Sequence, residues 1–418
     1  MSSDKRPGRR RFLKIALATT GATAAAGGGG YLLWRRRPIE GAPIVEDRPG
    51  YVHPGARVET RRRLGRTGLD IGVVGIGAGG LQGHEPILRA VDRGMNFIDT
   101  SICYGDSEKV IRRALLADKS LRQKLVIATK WDPGTTTTKK EMLDSLDKSL
   151  SRLNVDHVDI MQVHWLGGGH KFPDDGFNRL DNPELYLAME EARKSGKVRF
   201  FGATSHAGKR SAILQHAIDK GAFDMILVKM NVLDHEDADI PALLAKARDK
   251  DVGVVVMKSQ PGGGRIPKAY EESRYDIYQA NLRWVLDHPE VACVVESKIG
   301  REAAYQDLAI AAVQEQLGRR DHGLLDRYAT ALSPDYCRGC GDTCAAACPD
   351  GVAIDHVLQF SMYDREYGWH ERAREHYREL PAPARWSDRC ATCSACTDAC
   401  PYGVDAASGV REARARLG

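Results

Sequence analysis

Eight of the ten cysteines in this 418-residue chain fall between Cys337 and Cys400, in two groups of four that each close on Cys-Pro. The second group reads Cys390-Ala-Thr-Cys393-Ser-Ala-Cys396-Thr-Asp-Ala-Cys400-Pro401, a C-x2-C-x2-C-x3-C-P run. Three thiolates so closely spaced wrap one face of a cubane iron–sulfur cluster, while the fourth reaches the neighbouring cluster. The first group, Cys337-Arg-Gly-Cys340-Gly-Asp-Thr-Cys344-Ala-Ala-Ala-Cys348-Pro349, has one extra residue in its middle gap. Four-cysteine zinc sites instead separate two C-x2-C pairs by roughly a dozen residues or more. A disulfide framework fits such crowding poorly. Two runs predict two [4Fe–4S] clusters, and hence single-electron chemistry. Cys103 and Cys293 stand apart in apolar surroundings and read as core residues.

A second set of reactive groups lies upstream. Asp99 and Tyr104 follow Phe97-Ile98, Lys130 closes Ile127-Ala128-Thr129, and His164 closes Met161-Gln162-Val163. A tyrosine alone is a feeble acid near pH 10. A lysine ammonium beside it favours the phenolate, and an aspartate satisfies the lysine. Such a tyrosine can protonate a carbonyl oxygen while a histidine orients that carbonyl.

What must position these residues is a repeating unit. Short apolar runs recur at 73–77, 96–100, 125–130, 158–164, 198–203, 225–231, 252–258 and 292–296. Amphipathic stretches separate them at 87–93, 109–116, 139–153, 183–194, 210–219, 240–248 and 277–286, with a last one beginning near Arg301. Eight buried-strand patterns alternating with eight helical ones predict an α/β fold, a (β/α)8 TIM barrel over 61–330, whose chemistry gathers at strand ends. Gly75-Ile76-Gly77-Ala78-Gly79-Gly80 with Asp99 also satisfies a dinucleotide-binding fingerprint, but the repeat count favours the closed barrel. Residues 331–418 read as a small, mainly helical, ferredoxin-like iron–sulfur domain, with Tyr367 and Trp369 filling space between its cluster lobes. Residues 38–60, rich in Pro, Gly and charge, read as a linker.

At Asp99-Thr-Ser-x-x-Tyr104-Gly-x-Ser107-Glu108, at Lys130 after Ile-Ala-Thr, and at His164 after Asp159-Ile-Met-Gln, the chain resembles the aldo-keto reductase family. With its tail it resembles a bacterial branch carrying a C-terminal 4Fe–4S dicluster domain. The resemblance covers roughly residues 61–315. It implies that Tyr104 is the proton donor, that Asp99 and Lys130 tune it, and that His164 places a small carbonyl or alcohol substrate. It also implies a nicotinamide, NADP(H) or NAD(H), across the barrel mouth. Thr204, Ser205, Asn231, Lys258, Lys298 and Arg301 are the candidates to hold it. Ser205 and Leu227 replace the Asn and Gln common in the family. Trp131, Trp165 and the loop 167–172 suggest an aromatic-lined entrance.

Charge is uneven. Residues 1–63 carry 14 Lys/Arg against 5 Asp/Glu, a balance of +9, so the net +5 leaves −4 for the rest. No basic stripe with interleaved aromatics appears in that body, so nucleic acid is not an expected partner. The basic excess includes Arg9-Arg10-Arg11-Phe12-Leu13-Lys14 before an uncharged stretch from Ile15 to Trp34. This resembles a twin-arginine (Tat) export signal over 1–37, cleaved or kept as an anchor. The reading is therefore a periplasmic or membrane-anchored oxidoreductase coupled to an electron-transfer partner. The alternative is an iron–sulfur docking protein whose barrel does not turn over.

Overall fold

The computed structural model describes residues 55–168 and 176–418. The segment read as an export signal, residues 38–54 of the expected linker, and most of the loop 167–172 read as an entrance lie outside the described residues. The chain first makes an antiparallel hairpin, β1 (Arg61–Arg63) and β2 (Asp70–Gly72). Leu64 and Ile71 of this hairpin are fully buried against Phe97, Ala128, Ile160, Leu227 and Val255. The repeat pattern did not reveal this hairpin, because three-residue strands show too little alternation. At Gly65 φ is +48°, and a Cβ there would strike the backbone of residues 251–253, so the turn requires glycine.

Eight parallel strands follow: β3 (Val74–Gly77), β4 (Phe97–Asp99), β5 (Val126–Trp131), β6 (Val158–Val163), β7 (Val198–Ser205), β8 (Met225–Lys229), β9 (Gly253–Met257) and β10 (Val291–Glu296). They close in the order β10-β3-β4-β5-β6-β7-β8-β9. Between and after them run α1 (Glu85–Asp92), α2 (Ser107–Ala117), α3 (Lys139–Leu153), α4 (Pro183–Lys194), α5 (Arg210–Asp219), α6 (Asp239–Asp249), α7 (Arg274–Leu286) and α8 (Ala303–Val313). The (β/α)8 expectation holds. Closure also explains the glycine run: a Cβ on Gly75 would lie 2.9 Å from Phe97 O, and one on Gly77 2.9 Å from Ser297 N. Those glycines admit close strand packing.

Helix α9 (Arg319–Leu332) leads into the tail, built on α10 (Ile354–Arg365), α11 (His370–Glu379) and α12 (Ala406–Leu417). The tail has its own apolar core, comprising Val352, Val357, Phe360, Tyr363, Tyr377, Val410 and Leu417. Trp165 of the barrel belongs to the same core, so the two parts share one interior. Tyr367 and Trp369 pack against this core and also reach the barrel: Trp369 approaches Gly79, and Lys258 stands over the Tyr367 ring. Among the described residues, no helix is long and apolar enough to cross a membrane.

Candidate active site

Neighbouring strand ends bring the four expected residues to one point. Asp99 ends β4, Lys130 lies in β5, and His164 follows β6. Lys130 Nζ donates to Asp99 Oδ2 and to the Thr100 carbonyl, both at 2.6 Å. Gln162 Nε2 holds the other Asp99 oxygen at 2.8 Å, a clamp that the sequence patterns did not single out. The same ammonium lies 4.8 Å from the centre of the Tyr104 ring. The His164 ring meets Tyr104 edge-on at 5.8 Å and 77°.

Ser107 and Glu108 of the recognised motif serve the scaffold. Ser107 Oγ bonds Thr100 Oγ1 at 2.6 Å, while buried Glu108 accepts from Thr129 and pairs with Arg152 at 3.0 Å.

Burial changes the expected electrostatics. Desolvation raises the Tyr104 pKa, and Lys130 opposes that rise without reversing it. Tyr104 therefore stays protonated and serves as a donor, where the sequence reading had the lysine lowering its pKa. Desolvation works against the Lys130 charge, yet Asp99 and Tyr104 outweigh it and hold its pKa above the ordinary value. His164 is pushed well below its usual range by burial and then by Lys130, so it is neutral. Its Nδ1 is buried without a hydrogen-bond partner among the described residues, leaving it able to engage a ligand.

Tyr104 opens on a cleft between the barrel and the tail. Gly79, Gly80, Cys103 and Gly105 line one side, and Trp369, Arg372 and His376 of the α11 region line the other. Cys103, read as a core residue, is half-buried in this cleft; Cys293 is fully buried as expected. Trp131 is not at an entrance: it is 2 % exposed and packs on Phe201 at 5.9 Å. Trp165 is covered by the tail.

The six residues expected to hold a nicotinamide have protein neighbours of their own. Thr204 Oγ1 accepts from Trp165 N at 2.9 Å, and Ser205 Oγ donates to Leu166 O at 2.8 Å. Asn231 caps Leu233 N and donates to Lys258 O. Lys298 bonds the Tyr305 hydroxyl at 3.1 Å, and exposed Arg301 lies over Gly80. Lys258, at φ +57°, lies 5.3 Å from the Tyr363 ring of the tail. Lys258 lines a second cavity with His206, Lys229, Arg265 and Cys337, none of which borders the Tyr104 cleft. Lys258 nonetheless feels the charge of Arg372, which lines the Tyr104 cleft.

Four of the eight cysteines come together from both runs. Cys348 of the first run lines one small cavity with Cys390, Cys393 and Cys396 of the second. Cys340 and Cys344 are close enough to Cys337 to add to the burial that pushes its thiol up to about 12. Tyr402, two residues past Cys400, feels the charge of Cys340 and lies 4.7 Å from the Arg338 guanidinium. Gly341, inside the longer middle gap of the first run, adopts φ +59°. Backbone N–H groups of Gly339 and Val352 point at Cys337 Sγ and Cys348 Sγ, both at 3.4 Å. Among the described residues, no three His, Cys, Asp or Glu side chains converge on a single metal ion. A cubane does not ask for that, since each thiolate takes its own iron. The residues fit clusters better than a lone zinc.

Comparison with known proteins supports both halves. The 4Fe-4S dicluster domain model matches residues 336–404. L-galactose dehydrogenase of Arabidopsis thaliana is 31% identical over 214 residues, covering 46% of this chain and 63% of that protein. The 6-dehydroglucose reductase of Novosphingobium aromaticivorans is 29% identical over 180 residues, 37% of this chain and 54% of that one. The chain thus spans less than two thirds of these relatives. The thermostable aldo-keto reductase Tm1743, solved with the inhibitor epalrestat, superposes with a TM-score of 0.51 at 24% identity, covering 64% of this chain and 99% of that one; the likeness is one of fold. The Aldo/keto reductase family model matches residues 84–292, half of the chain, and through that barrel the protein belongs to the aldo/keto reductase family.

Proposed function

We propose that this protein interconverts a carbonyl and an alcohol at Tyr104 and exchanges electrons with a partner through two [4Fe–4S] clusters in its tail. One observation carries this reading: the core that contains Cys344 and flanks Cys348, Cys390 and Cys396 also contains Trp165, the neighbour of His164. When bound, such clusters supply single electrons. Cys337, Cys340, Cys344 and Cys400 would hold one, and Cys348, Cys390, Cys393 and Cys396 the other.

Tyr104 gives its proton to the carbonyl oxygen, Lys130 recharges the phenol's surroundings, and neutral His164 orients the carbonyl. Reduction consumes two electrons and two protons per carbonyl: Tyr104 delivers one proton to the oxygen, solvent in the open cleft delivers the other to the carbon, and solvent then re-protonates Tyr104. A reduced one-electron carrier protein supplies the electrons. The segment Arg9–Lys14 directs the folded protein out of the cytoplasm by the Tat route.

Anaerobically purified, dithionite-reduced protein tests the reading. Aldehydes, 2-oxo acids and quinones are added in turn, cluster absorbance is followed, and alcohol is counted. One alcohol for every two electrons lost, abolished in Tyr104→Phe, is expected. A protein that passes electrons to a carrier but to no carbonyl would instead be an electron-transfer protein with an inactive barrel. Replacing Arg9 and Arg10 by Lys should hold the protein in the cytoplasm, because the guanidinium pair and not charge alone is recognised. Unchanged fractionation would remove the export assignment.

A further inference from the structure

The tail wall of the Tyr104 cleft carries a guanidinium with no carboxylate partner among the described residues. Arg372 Cζ lies 5.9 Å from the centre of the Tyr104 ring and 5.6 Å from that of Trp369. Other tail-facing arginines have acids: Arg365 pairs with Glu412 at 2.7 Å, Arg416 with Asp364, and Arg265 with Glu366 at 3.4 Å, while Arg374 on the same wall is exposed and donates to the Arg416 carbonyl. Arg372 instead donates from Nε to His376 Nε2 at 3.2 Å, and His376 Nδ1 lies 3.2 Å from Glu379 Oε2. A neutral His376 with its proton on Nδ1 satisfies both contacts. The arrangement fixes Arg372 through Nε and leaves its two Nη groups without an acid. Other carboxylates do not fill the gap: Asp99 is committed to Lys130 and Gln162, while Glu371 and Glu375 are exposed.

A guanidinium presents a planar fork of N–H donors that matches a carboxylate in bidentate fashion. With the carbonyl oxygen at Tyr104 and His164, Arg372 beside the Tyr104 ring is within reach of a carboxylate on the same small substrate. We propose that Arg372, supplied by the cysteine-bearing tail, binds the carboxylate of the substrate, so that the cleft takes a 2-oxo acid or the corresponding 2-hydroxy acid. This deepens the function proposed above and rests on Tyr104 being the proton donor. It also gives the tail a second role, that of completing the substrate site.

The test is binding to the full-length, cluster-loaded protein. Oxamate, an unreactive 2-oxo-acid analogue, and its neutral counterpart oxamide are titrated by calorimetry. Oxamate is expected to bind wild type at least about tenfold more tightly than oxamide. Arg372→Met should lose about tenfold or more for oxamate and nothing for oxamide, and Arg372→Lys should recover part of the loss. Tyr104→Phe should keep oxamate binding within a few-fold. Equal oxamate affinity in wild type and Arg372→Met overturns the inference. So does a wild type that ignores oxamate yet binds a phosphate-bearing carbonyl. If oxamate binds through Arg372 but no 2-oxo acid is ever reduced, the anion site stands and the catalytic reading falls. If neutral carbonyls are reduced and oxamate ignores Arg372, the catalytic reading stands and the anion site falls.

Discussion

The indole of Trp165 lies 5.3 Å from the imidazole of His376, joining a barrel residue to a helix of the cysteine-bearing tail. The contact belongs to a continuous series of rings. Tyr104 meets His164 at 5.8 Å, His164 meets Trp165 at 6.0 Å, and His376 meets Phe360 at 5.4 Å within the core that includes Cys344. Trp165 adopts φ +54°, rare for a bulky residue. Arg179, itself buried, holds it there by donating to the His164 and Trp165 carbonyls at 2.9 and 3.3 Å. The barrel therefore spends backbone strain to aim one aromatic residue at the tail.

Trp165→Ala should loosen the junction while the barrel still closes. Removing a buried aromatic side chain costs about 3–5 kcal/mol, and alanine, which also carries a Cβ, keeps the left-handed strain. Chemical unfolding should show the tail melting before the barrel, a separation absent in wild type. Re-oxidation of reduced protein by a carbonyl should slow by more than any change in substrate binding. Coincident melting and an unchanged rate would remove the junction from both roles.

Tyr104→Phe removes one hydroxyl from a half-buried ring, so the fold should survive. Loss of the proton donor should cost about 10²–10⁴-fold in turnover. Lys130→Met should cost a similar factor, and it strands buried Asp99 with Gln162 as its remaining side-chain partner. Because the two residues act as one unit, the double variant should be little slower than either single. Multiplying losses in the double variant would show independent roles.

The barrel and the four residues at its mouth could be read from the chain because each rests on local pattern. Strand and helix periodicity fixed the order of elements, and a residue's place at a strand end fixed its meeting with the others. Gln162 and Arg179 escaped notice, since a lone polar residue carries no periodic signal and its partner is set by the fold. The nicotinamide residues were placed by family position alone, and the tail's packing over Lys258 and Trp165 is long-range. Arg372 escaped for the same reason: over 200 residues separate it from Tyr104. The direction of the Tyr104 shift needed burial, which spacing does not reveal.

Glu296 gives a pH dependence of definite sign. It ends β10, is 6 % exposed, and accepts a hydrogen bond from Ser259. Burial pushes its pKa up to about 7 from an ordinary 4.5, against the pull of Ser259 and Lys298. A raised carboxyl pKa means that the folded state holds a proton the unfolded state has lost. The stabilisation is whole below about pH 4.5 and is lost as pH rises through about 7, on the order of 3 kcal/mol. Glu296→Gln should therefore match wild type near pH 4.5 and exceed it by about 2–3 kcal/mol at pH 8.5 in urea unfolding. A constant difference across that range would mean that Glu296 titrates normally.

Cysteine exchange between the two runs yields the sharpest test of the tail. Cys348 belongs by sequence to the first run, yet it lines the cavity of Cys390, Cys393 and Cys396. Asp350 and Ser387 tie the runs together beside it through a short hydrogen bond between their side chains. Cys348→Ser should accordingly damage the same cluster as Cys393→Ser and spare the one held by Cys337, Cys340 and Cys344. Each variant should fall from about eight irons per chain towards about four. The electron paramagnetic resonance signal that survives should be the same in both, and Cys344→Ser should leave the other. Because metal binding contributes to folding, each loss should also lower thermal stability, most for Cys344, which sits within the core shared with Trp165. If Cys348→Ser instead leaves the signal left by Cys344→Ser, each run binds its own cluster and the crossed assignment is wrong.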